Sequence, residues 1–228
     1  MMRRLFVFRP EPGLSVTLET AAAQGLDALG CALFEVEPVR WIVPPREDFD
    51  ALLVGSSNVF RHAGPGLAKL EGLPVYAVGE ATAEGAREKG FIVTKTGRGG
   101  LQNLLDSLAG RDLRFLRLAG ENRVELSPPD GIAITACDVY RTRPLEITPE
   151  CSKAMREDGG VALLHSGEAA RRLVGECERL GIDRNAITVA ALGPRIAQLA
   201  GDGWQAVHTA SQPRDAELLA LAQALCQG

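Results

Sequence analysis

The chain has 228 residues, of which 46% are hydrophobic and 24% charged, and its formal net charge at pH 7 is −4. This composition is typical of a globular protein with room for two small domains, and an acidic balance argues against nucleic-acid binding. No stretch approaches the roughly 18 consecutive apolar residues of a membrane-spanning helix. The first apolar run, LFVF, is too short for the core of a signal peptide. We therefore expect neither a nucleic-acid nor a membrane partner.

Short apolar runs typical of β-strands alternate with helical segments along the whole chain. In chain order the predicted strands are 5–8, 32–36, 51–54, 74–78, 91–93, 113–118, 132–140, 161–165, 186–191 and 205–208. Between many of them lie segments rich in Ala, Leu and Glu with helical period, such as PRDAELLALAQAL. This alternation predicts an α/β fold in which helices cover parallel, doubly wound sheets of flavodoxin-like type.

The two halves of the chain share one order of features. Ser56 and Gly79 follow successive predicted strands 23 residues apart, and Ser166 and Gly193 do the same 27 residues apart. In each half an aromatic-led strand comes next, and a leucine-rich helix ends the half. The repeated order predicts two copies of one α/β unit.

Strand counting predicts how the chain divides. Residues 39–138 contain five predicted strands, enough for a complete small sheet, whereas the C-terminal part contains three. We expect the strands at 5 and 32 to complete the second sheet, so that 1–36 and 144–228 form one discontinuous domain around an inserted one. The chain then crosses between domains near 35–41 and 138–144. Two adjacent crossings predict a two-stranded linker with a ligand-binding cleft between the domains.

The cysteines and histidines show no spacing typical of metal ligands. The five cysteines are scattered, odd in number and without a CxxC pair, which argues against a disulfide framework or a zinc site and favours the reducing cytoplasm. The three histidines share no ligand spacing either. We expect no metal. These residues are Cys31, Cys137, Cys151, Cys177, Cys226, His62, His165 and His208.

Two serine-containing turns follow predicted strands, at Ser56-Ser57-Asn58 and at Ser166-Gly167. A nucleophile elbow would require G-x-S-x-G, which neither turn contains, so the pattern does not favour a hydrolase. The serines and the asparagine could simply cap helices. Alternatively, the backbone N–H groups at the helix starts could bind anions such as carboxylates.

A third turn, at Val78-Gly79 with Thr82 just beyond, has two interpretations. The glycine could serve only to turn the chain from strand to helix, or it could let the backbone approach a ligand. Arg9 and Arg123 come just after predicted strands, and arginine is the usual partner of carboxylates. We interpret most of the other arginines as solvated surface residues.

Several segments, in order along nearly the whole chain, resemble uroporphyrinogen-III synthases. The family fold is two α/β domains joined by a two-stranded ladder. The resemblance implies a lyase, a hydroxymethylbilane-cyclising hydro-lyase, that uses no metal and no organic cofactor. We expect a monomer acting in the cytoplasm on a small-molecule substrate. The segments are RPE (9–11), DALLVGSSNV (50–59), LPVYAVGEATAEGAREKGF (73–91), AGENR (119–123), DVYRT (138–142) and LLHSGEAA (163–170).

The resemblance also implies a reaction of haem biosynthesis. Linear hydroxymethylbilane loses its hydroxyl as water, and the macrocycle closes with the last pyrrole ring inverted, through a methylene-pyrrolenine cation and a spiro intermediate. Tyr140 matches the linker tyrosine, the implied proton donor to the departing hydroxyl; otherwise it is an aromatic packed in the linker. The substrate carries acetates and propionates. The implied substrate-binding positions are Arg9, Ser56, Ser57, Asn58, Val78, Gly79, Thr82, Arg123, Ser166 and Gly167.

The chain departs from the family pattern in two places. Ala119 stands where an arginine is usual, and only eight residues separate Arg123 from Ile132, so a short turn is expected in place of a helix. A second class of function remains open from the residues alone. A non-catalytic two-domain sensor or binding protein for a small anionic ligand would have a similar pattern, although Tyr140 and the VGEAT turn favour the enzyme.

Overall fold

The computed structural model describes residues 3–227, and the chain divides into two compact units. The inserted unit is Val36–Arg143, and the flanking unit consists of Met1–Glu35 and Pro144–Gly228. Each unit has its own parallel sheet with helices on both faces. None of the described helices is long and apolar enough to cross a membrane.

Strands and helices alternate along most of the chain. The strands are β1 (Leu5–Phe8), β2 (Ala28–Gly30), β3 (Phe34–Pro38), β4 (Ala51–Val54), β5 (Val75–Val78), β6 (Val93–Gly97), β7 (Leu113–Gly120), β8 (Ile132–Pro144), β9 (Gly160–Leu164), β10 (Ile187–Ala191) and β11 (Ala206–Thr209). The α-helices are α1 (Gly13–Ala23), α2 (Asn58–His62), α3 (Glu80–Glu88), α4 (Leu101–Asp106), α5 (Pro149–Asp158), α6 (Gly167–Leu180), α7 (Pro194–Ala200) and α8 (Asp215–Gln227). Short 3₁₀ helices lie at Arg46–Asp48, Gly64–Leu70 and Arg184–Ala186.

The flanking unit has a five-stranded parallel sheet in the order β11-β10-β9-β1-β2. The three central strands are buried along their full length, as expected for parallel strands covered on both faces. One core lies between the sheet and α1 and α8, and a second lies on the opposite face under α5, α6 and α7. Counted along this unit's own chain, the strand order is 2-1-3-4-5, as in flavodoxin-like folds.

The inserted unit has the six-stranded order β3-β8-β7-β4-β5-β6, in which β4 to β8 pair in parallel. One core lies on the side of α2 and α3, and the other includes Leu104 and Leu105 of α4. Residues 121–131, which connect β7 to β8, contain no helix. The short connection expected after Arg123 is therefore present.

The two sheets repeat one arrangement, which confirms the predicted α/β fold of two similar units. From one edge to the other, β2-β1-β9-β10-β11 of the flanking unit corresponds to β8-β7-β4-β5-β6 of the inserted unit. The turn at Ser56 follows β4 and the turn at Ser166 follows β9, and these two strands occupy the same central place. The repeat read from the sequence is thus a repeat of structure.

The predicted strand at 32–36 was assigned to the wrong sheet. The fifth strand of the flanking unit is β2, which the sequence analysis missed because it has three residues and no apolar alternation. The segment containing 34–36 forms β3, which lies next to β8 in the six-stranded sheet. Alternating residues such as FEVEP identify an edge strand but not the sheet to which it belongs.

One pair of cysteines forms a disulfide, so the prediction that no disulfide would be present was wrong for this pair. Cys31, just after β2, is bonded to Cys151 in the first turn of α5, with 6.2 Å between their Cα atoms. Both residues are buried in the same core. Spacing gave no signal because the two cysteines are 120 residues apart, and the inserted unit accounts for most of that distance.

Helix α6 holds the chain where it returns to the flanking unit. The buried carboxylate of Glu176 accepts a hydrogen bond from the backbone N–H of Ile147 at 2.9 Å and pairs with Arg179 at 2.7 Å and Arg172 at 3.2 Å. Arg172 in turn donates to the carbonyl of Leu145 at 3.0 Å. The hydrogen bond from Arg179, helped by that from Ile147, holds the pKa of Glu176 below its usual range.

Glu176→Gln should lower the free energy of unfolding of the flanking unit by about 1–2 kcal/mol at pH 7, because charge-assisted hydrogen bonds are lost. Since the pKa of Glu176 is lowered on folding, this stabilisation should fade as the pH falls below about 4. Urea unfolding followed by fluorescence of the buried Trp204 measures it. Glu178→Gln, at an exposed position of the same helix, is the control and should change stability by less than about 0.5 kcal/mol. Equal effects of the two substitutions would contradict the role of Glu176.

Candidate functional site

A cavity of about 430 Å³ lies in the inserted unit, at the carboxyl ends of its strands. Gly55 and Ser56 follow β4, and Leu118 and Ala119 lie at the end of β7. From β4 the chain moves to one side of the sheet through β5 and β6, and β7 then begins the other side. The cavity therefore lies where the strand order reverses, which is the usual ligand site of open α/β sheets. It is lined by Gly55, Ser56, Val78, Gly100, Leu101, Gln102, Arg117, Leu118, Ala119, Arg123, Val124, Glu125, Leu126 and Tyr140.

The helix-free connection 121–131 forms one wall of this cavity through Val124, Glu125 and Leu126. Gln102, in the first turn of α4, fastens the connection by donating to the carbonyl of Ser127 at 2.8 Å and accepting from its N–H at 2.9 Å. On the sheet side, Nη1 of Arg117 donates to the carbonyl of Val124 at 2.8 Å. Two side chains thus hold an irregular segment in a defined position.

Arg117 is a buried cation in the cavity wall, with 6% of its surface exposed. Its Nε is buried and has no hydrogen-bond partner within residues 3–227. Burial, and to a smaller degree the charge of Arg123, lowers the pKa of its guanidinium. An arginine nevertheless remains protonated in proteins, so the cavity contains a positive charge with unused hydrogen-bonding capacity.

Tyr140 presents a phenol to the same cavity. Its ring packs over Gly120, where an added Cβ would lie 2.5 Å from Cε2, so a side chain at this position would displace the ring. In the described part of the chain, the hydroxyl makes no hydrogen bond. The imidazole of His62 lies 6.3 Å away between ring centroids. Burial, followed by the charge of Arg61, lowers the pKa of His62, so the imidazole is neutral at pH 7.

Four of the predicted site residues meet at this cavity. Ser56, Val78 and Tyr140 line it together with Arg123, which forms an ion pair with Asp138 on β8. The hydroxyl of Ser56 also accepts from the N–H of Asn58 at 3.3 Å. The partial neutralisation of Arg123 leaves its guanidinium less available to an incoming anion than an unpaired one would be.

Four other predicted residues of the inserted unit lie beside the cavity without lining it. The side chains of Ser57 and Asn58 both accept from Nη1 of Arg61, at 2.8 and 3.1 Å, on the exposed side of the five-residue helix α2. Gly79 has a φ of 80°, which favours glycine at this turn. Thr82 is buried at the start of α3.

The three remaining predicted residues belong to the flanking unit. Ser166 caps α6 by accepting from the N–H of Ala169 at 3.1 Å, and Gly167 is the first residue of that helix. Arg9 is already engaged, because it donates to Asp215 at 2.8 Å and to Thr17 at 3.0 Å. Arg9 was predicted to bind a carboxylate of the substrate. Its ion pair with Asp215 already compensates much of its positive charge.

His165 lies beside this ion pair and is nearly buried, with 9% of its side chain exposed. Neither ring nitrogen has a hydrogen-bond partner in the described structure, and Nε2 lies 3.7 Å from Oδ1 of Asp215. Burial and then the charge of Arg9 lower the pKa of His165 to about 4. The imidazole is therefore neutral at pH 7.

Arg117 and Gln102, which line the cavity, and His62, which lies near Tyr140, were not among the predicted site residues. The sequence could have identified Arg117, because LRFLRLAG has the pattern of a buried strand. A charged residue inside such a strand is rarely buried without a specific partner. The contacts of Gln102 and His62 depend on tertiary structure alone. Across residues 3–227, no three His, Cys, Asp or Glu side chains are grouped so that they could hold a metal ion.

Comparison with known proteins identifies one family. The family model described as "Uroporphyrinogen-III synthase HemD" matches residues 15–220. Among solved structures, uroporphyrinogen-III synthetase from Helicobacter pylori is 19% identical with a TM-score of 0.68, and covers 99% of this chain and 100% of its own. A mutant uroporphyrinogen III synthase from the extremely thermophilic bacterium Thermus thermophilus is 19% identical with a TM-score of 0.58, and it covers 99% of this chain and 100% of its own. At these identities the structures bear on the fold alone. No curated protein sequence matches the chain.

The low pKa of His165 predicts a loss of stability in acid. Between pH 6.5 and 4 the unfolded chain binds a proton that the folded chain does not, so folding weakens as the pH falls. His165→Asn should reduce the loss in unfolding free energy between pH 7 and 4.5 by about 2–3 kcal/mol. Urea titrations at both pH values measure it, with His208→Asn, at an exposed position, as the control. An acid-induced loss that His165→Asn leaves intact would contradict the assignment.

Proposed function

Because the chain belongs to the uroporphyrinogen-III synthase family, we propose that it closes linear hydroxymethylbilane into uroporphyrinogen III, inverting the last pyrrole ring and releasing water. The match of the family model over residues 15–220 carries this proposal. It supports an enzyme over the alternative of a ligand sensor, for which no described feature argues. A lyase class, a cytoplasmic location and a monomeric state stay predictions.

The proposed substrate suits the cavity of the inserted unit. A pyrrole ring is flat and apolar, and Val78, Leu118 and Leu126 offer apolar surface to it. Its acetate and propionate groups need hydrogen-bond donors, for which Ser56 and Arg123 are placed in the lining. Ligand sites combine such apolar walls with a few polar groups that fix orientation.

The proposed reaction begins with cleavage of the bond between carbon and the hydroxyl of the bilane. The hydroxyl takes a proton from Tyr140 and leaves as water, and the neighbouring pyrrole nitrogen supplies electrons, giving a methylene-pyrrolenine cation. The substituted carbon of the last ring attacks this cation to form a spiro intermediate. That intermediate fragments at the bond between the substituted carbon and its original methylene bridge, and the last ring recloses on that bridge through its other carbon. The proton lost as the pyrrole regains aromaticity returns through solvent to the phenolate of Tyr140.

The phenol of Tyr140 is suited to this modest task. A phenol can donate a hydrogen bond, and then a proton, to a departing oxygen. The neutral His62 adds no positive charge beside the cation that develops. The pyrroles supply the electrons, so the protein contributes mainly by orienting the chain of rings and stabilising charge.

Predicted residues outside the cavity take secondary parts in the proposal. The capped turn at Ser166-Gly167 offers backbone N–H groups to carboxylates. The N–H of Gly79 already donates to the carbonyl of Gly97 at 3.0 Å, so this glycine contributes the shape of its turn. Arg9 can bind a carboxylate only by exchanging it for that of Asp215. Ser57, Asn58 and Thr82 shape the turns that carry these groups, because their side chains are engaged or buried.

The product isomer tests the proposed function. The protein is incubated with freshly generated hydroxymethylbilane, the products are oxidised, and the porphyrin isomers are separated. We expect the type III isomer in excess over the type I isomer, which forms by spontaneous closure without inversion. Heat-denatured protein serves as the control. Type I alone, at the rate of the control, would show that the chain is not a synthase.

Tyr140→Phe should lower kcat by about 10- to 100-fold, the low end of what a positioned proton donor contributes, and should change KM little. The enzyme should keep part of its activity because hydroxymethylbilane tends to lose its hydroxyl unaided. Initial rates of type III formation measure the effect. Tyr76→Phe removes the same atom from a tyrosine in the core of the same unit and is the matched control. An unchanged kcat in Tyr140→Phe would remove the donor role but leave the family assignment untouched.

A further inference from the structure

We propose that Arg117 is a substrate-recognition residue, whose buried guanidinium binds the carboxylate of one acid side chain inside the cavity of the inserted unit. The identity of the acid, an acetate or propionate of a pyrrole, rests on the proposed function. The existence of a carboxylate site does not, since it follows from the charge, burial and hydrogen bonding of the cavity wall.

The guanidinium of Arg117 is buried with only part of its hydrogen-bonding capacity used. Removing a charged group from water is strongly unfavourable unless a partner compensates for it. Of the donors of Arg117, Nη1 reaches the carbonyl of Val124, and the buried Nε reaches no acceptor in the described structure. A planar guanidinium offers donors in a fork that matches a carboxylate. One donor of Arg117 is therefore occupied by the carbonyl of Val124, and its other donors are suited to a carboxylate.

Among the described residues, no acidic side chain neutralises Arg117. Within residues 3–227, no Asp or Glu oxygen lies within 4 Å of its guanidinium nitrogens. Asp138, whose charge acts on Arg117, is ion-paired with Arg123. Glu125 lines the cavity but is exposed to solvent. The cavity therefore retains a positive charge that an incoming anion can compensate.

The repeat within the chain places Arg117 differently from the arginine of the flanking unit. Phe8 pairs with Leu164 at the end of β1 as Leu118 pairs with Val54 in β7. By this register, Ala119 occupies the place that Arg9 has in the flanking unit, and Arg117 lies two residues earlier. Residues i and i+2 of a strand point to the same face, so the small side chain of Ala119 lies beside Arg117 at the strand end.

The helices α8 and α4, which occupy corresponding places in the two units, differ in the charge of their first residue. In the flanking unit, Asp215, the first residue of α8, supplies the carboxylate that binds Arg9. In the inserted unit, the corresponding helix α4 begins with Leu101, which lines the cavity and has no charge. The flanking unit neutralises its arginine internally, whereas the inserted unit leaves room for a carboxylate from outside.

The size of the cavity limits what accompanies that carboxylate. Its volume of about 430 Å³ lies near the lower end of the range of about 300–1,000 Å³ for small-molecule sites. One pyrrole ring with its two acid side chains fits this volume, whereas four linked rings do not. The cavity thus receives one ring of the substrate.

A purely structural role for Arg117 is the competing explanation, because its bond to Val124 also fastens the connection 121–131. Gln102 fastens the same connection through Ser127 without carrying a charge. The two explanations differ in one respect. Only a recognition residue makes binding depend on the charge of the ligand.

The test compares the binding of two ligands, one charged and one neutral, to wild-type protein and to variants. Isothermal titration calorimetry measures the Kd of wild-type protein for a monopyrrole with one acetate and one propionate, and for its dimethyl ester. We expect the diacid to bind about 10- to 100-fold more tightly, as for one charge-assisted hydrogen-bonded pair. Arg117→Met should remove most of this preference, leaving what Arg123 and Ser56 contribute, and Arg117→Lys should retain part of it. Gln102→Ala, which loosens the connection but keeps the charge, should retain it.

Three results would overturn the proposal. They are equal affinities of wild-type protein for diacid and diester, failure of the diacid to bind wild-type protein, and a preference for the diacid that is undiminished in Arg117→Met. The first two need no variant, so misfolding cannot mask them. The isomer assay on wild-type protein separates this proposal from the proposed function. Formation of the type III isomer with no preference for the diacid would contradict only the carboxylate site at Arg117. A clear preference for the diacid without type III formation would contradict only the proposed synthase activity.

Discussion

The parallel pairing of β4 with β7 is the contact on which the site depends. It runs in register from Ala51 opposite Phe115 to Val54 opposite Leu118, and it joins the two directions in which the sheet of the inserted unit grows. Helices diverge from this point, so the carboxyl ends of the two strands are left uncovered and a cavity forms. The same pairing places β7 inside the sheet, and an arginine in such a strand is removed from water.

The chemistry proposed for this site needs little from the protein beyond placement. The bilane carries its own leaving group and its own electrons, and an apolar cavity with one phenol and one unneutralised guanidinium suits a substrate whose rings are apolar and whose periphery is acidic. Without a protein, the last ring closes through its unsubstituted carbon and gives the type I isomer. A fixed carboxylate contact would orient one ring relative to the next, and orientation alone can decide between the two isomers.

The sequence predicts the parts of this structure that depend on local pattern. Strands β1 and β4 were predicted to the residue, because short, fully buried apolar runs bounded by polar residues are distinctive. Strand β2 was missed and β3 misassigned, since three residues carry no period and an edge pattern does not name its sheet. The site shows the same division. Turn chemistry and resemblance identified residues that line the cavity, but the burial of Arg117 follows only once β7 is known to be an interior strand.

The adjacency of β3 and β8 has a consequence for how the chain folds. The N–H of Val39 lies 3.0 Å from the carbonyl of Val139, so the two ends of the inserted unit are held side by side. Until that unit folds, β1 and its partner β9 are joined by a loop of more than a hundred residues, and closing such a loop carries a large entropic penalty. After it folds, the path between them shortens to residues 9–35 and 144–159, which lie on either side of the ladder. Folding of the inserted unit therefore lowers the entropic cost of pairing β1 with β9. We expect the inserted unit to fold first and the flanking unit to follow.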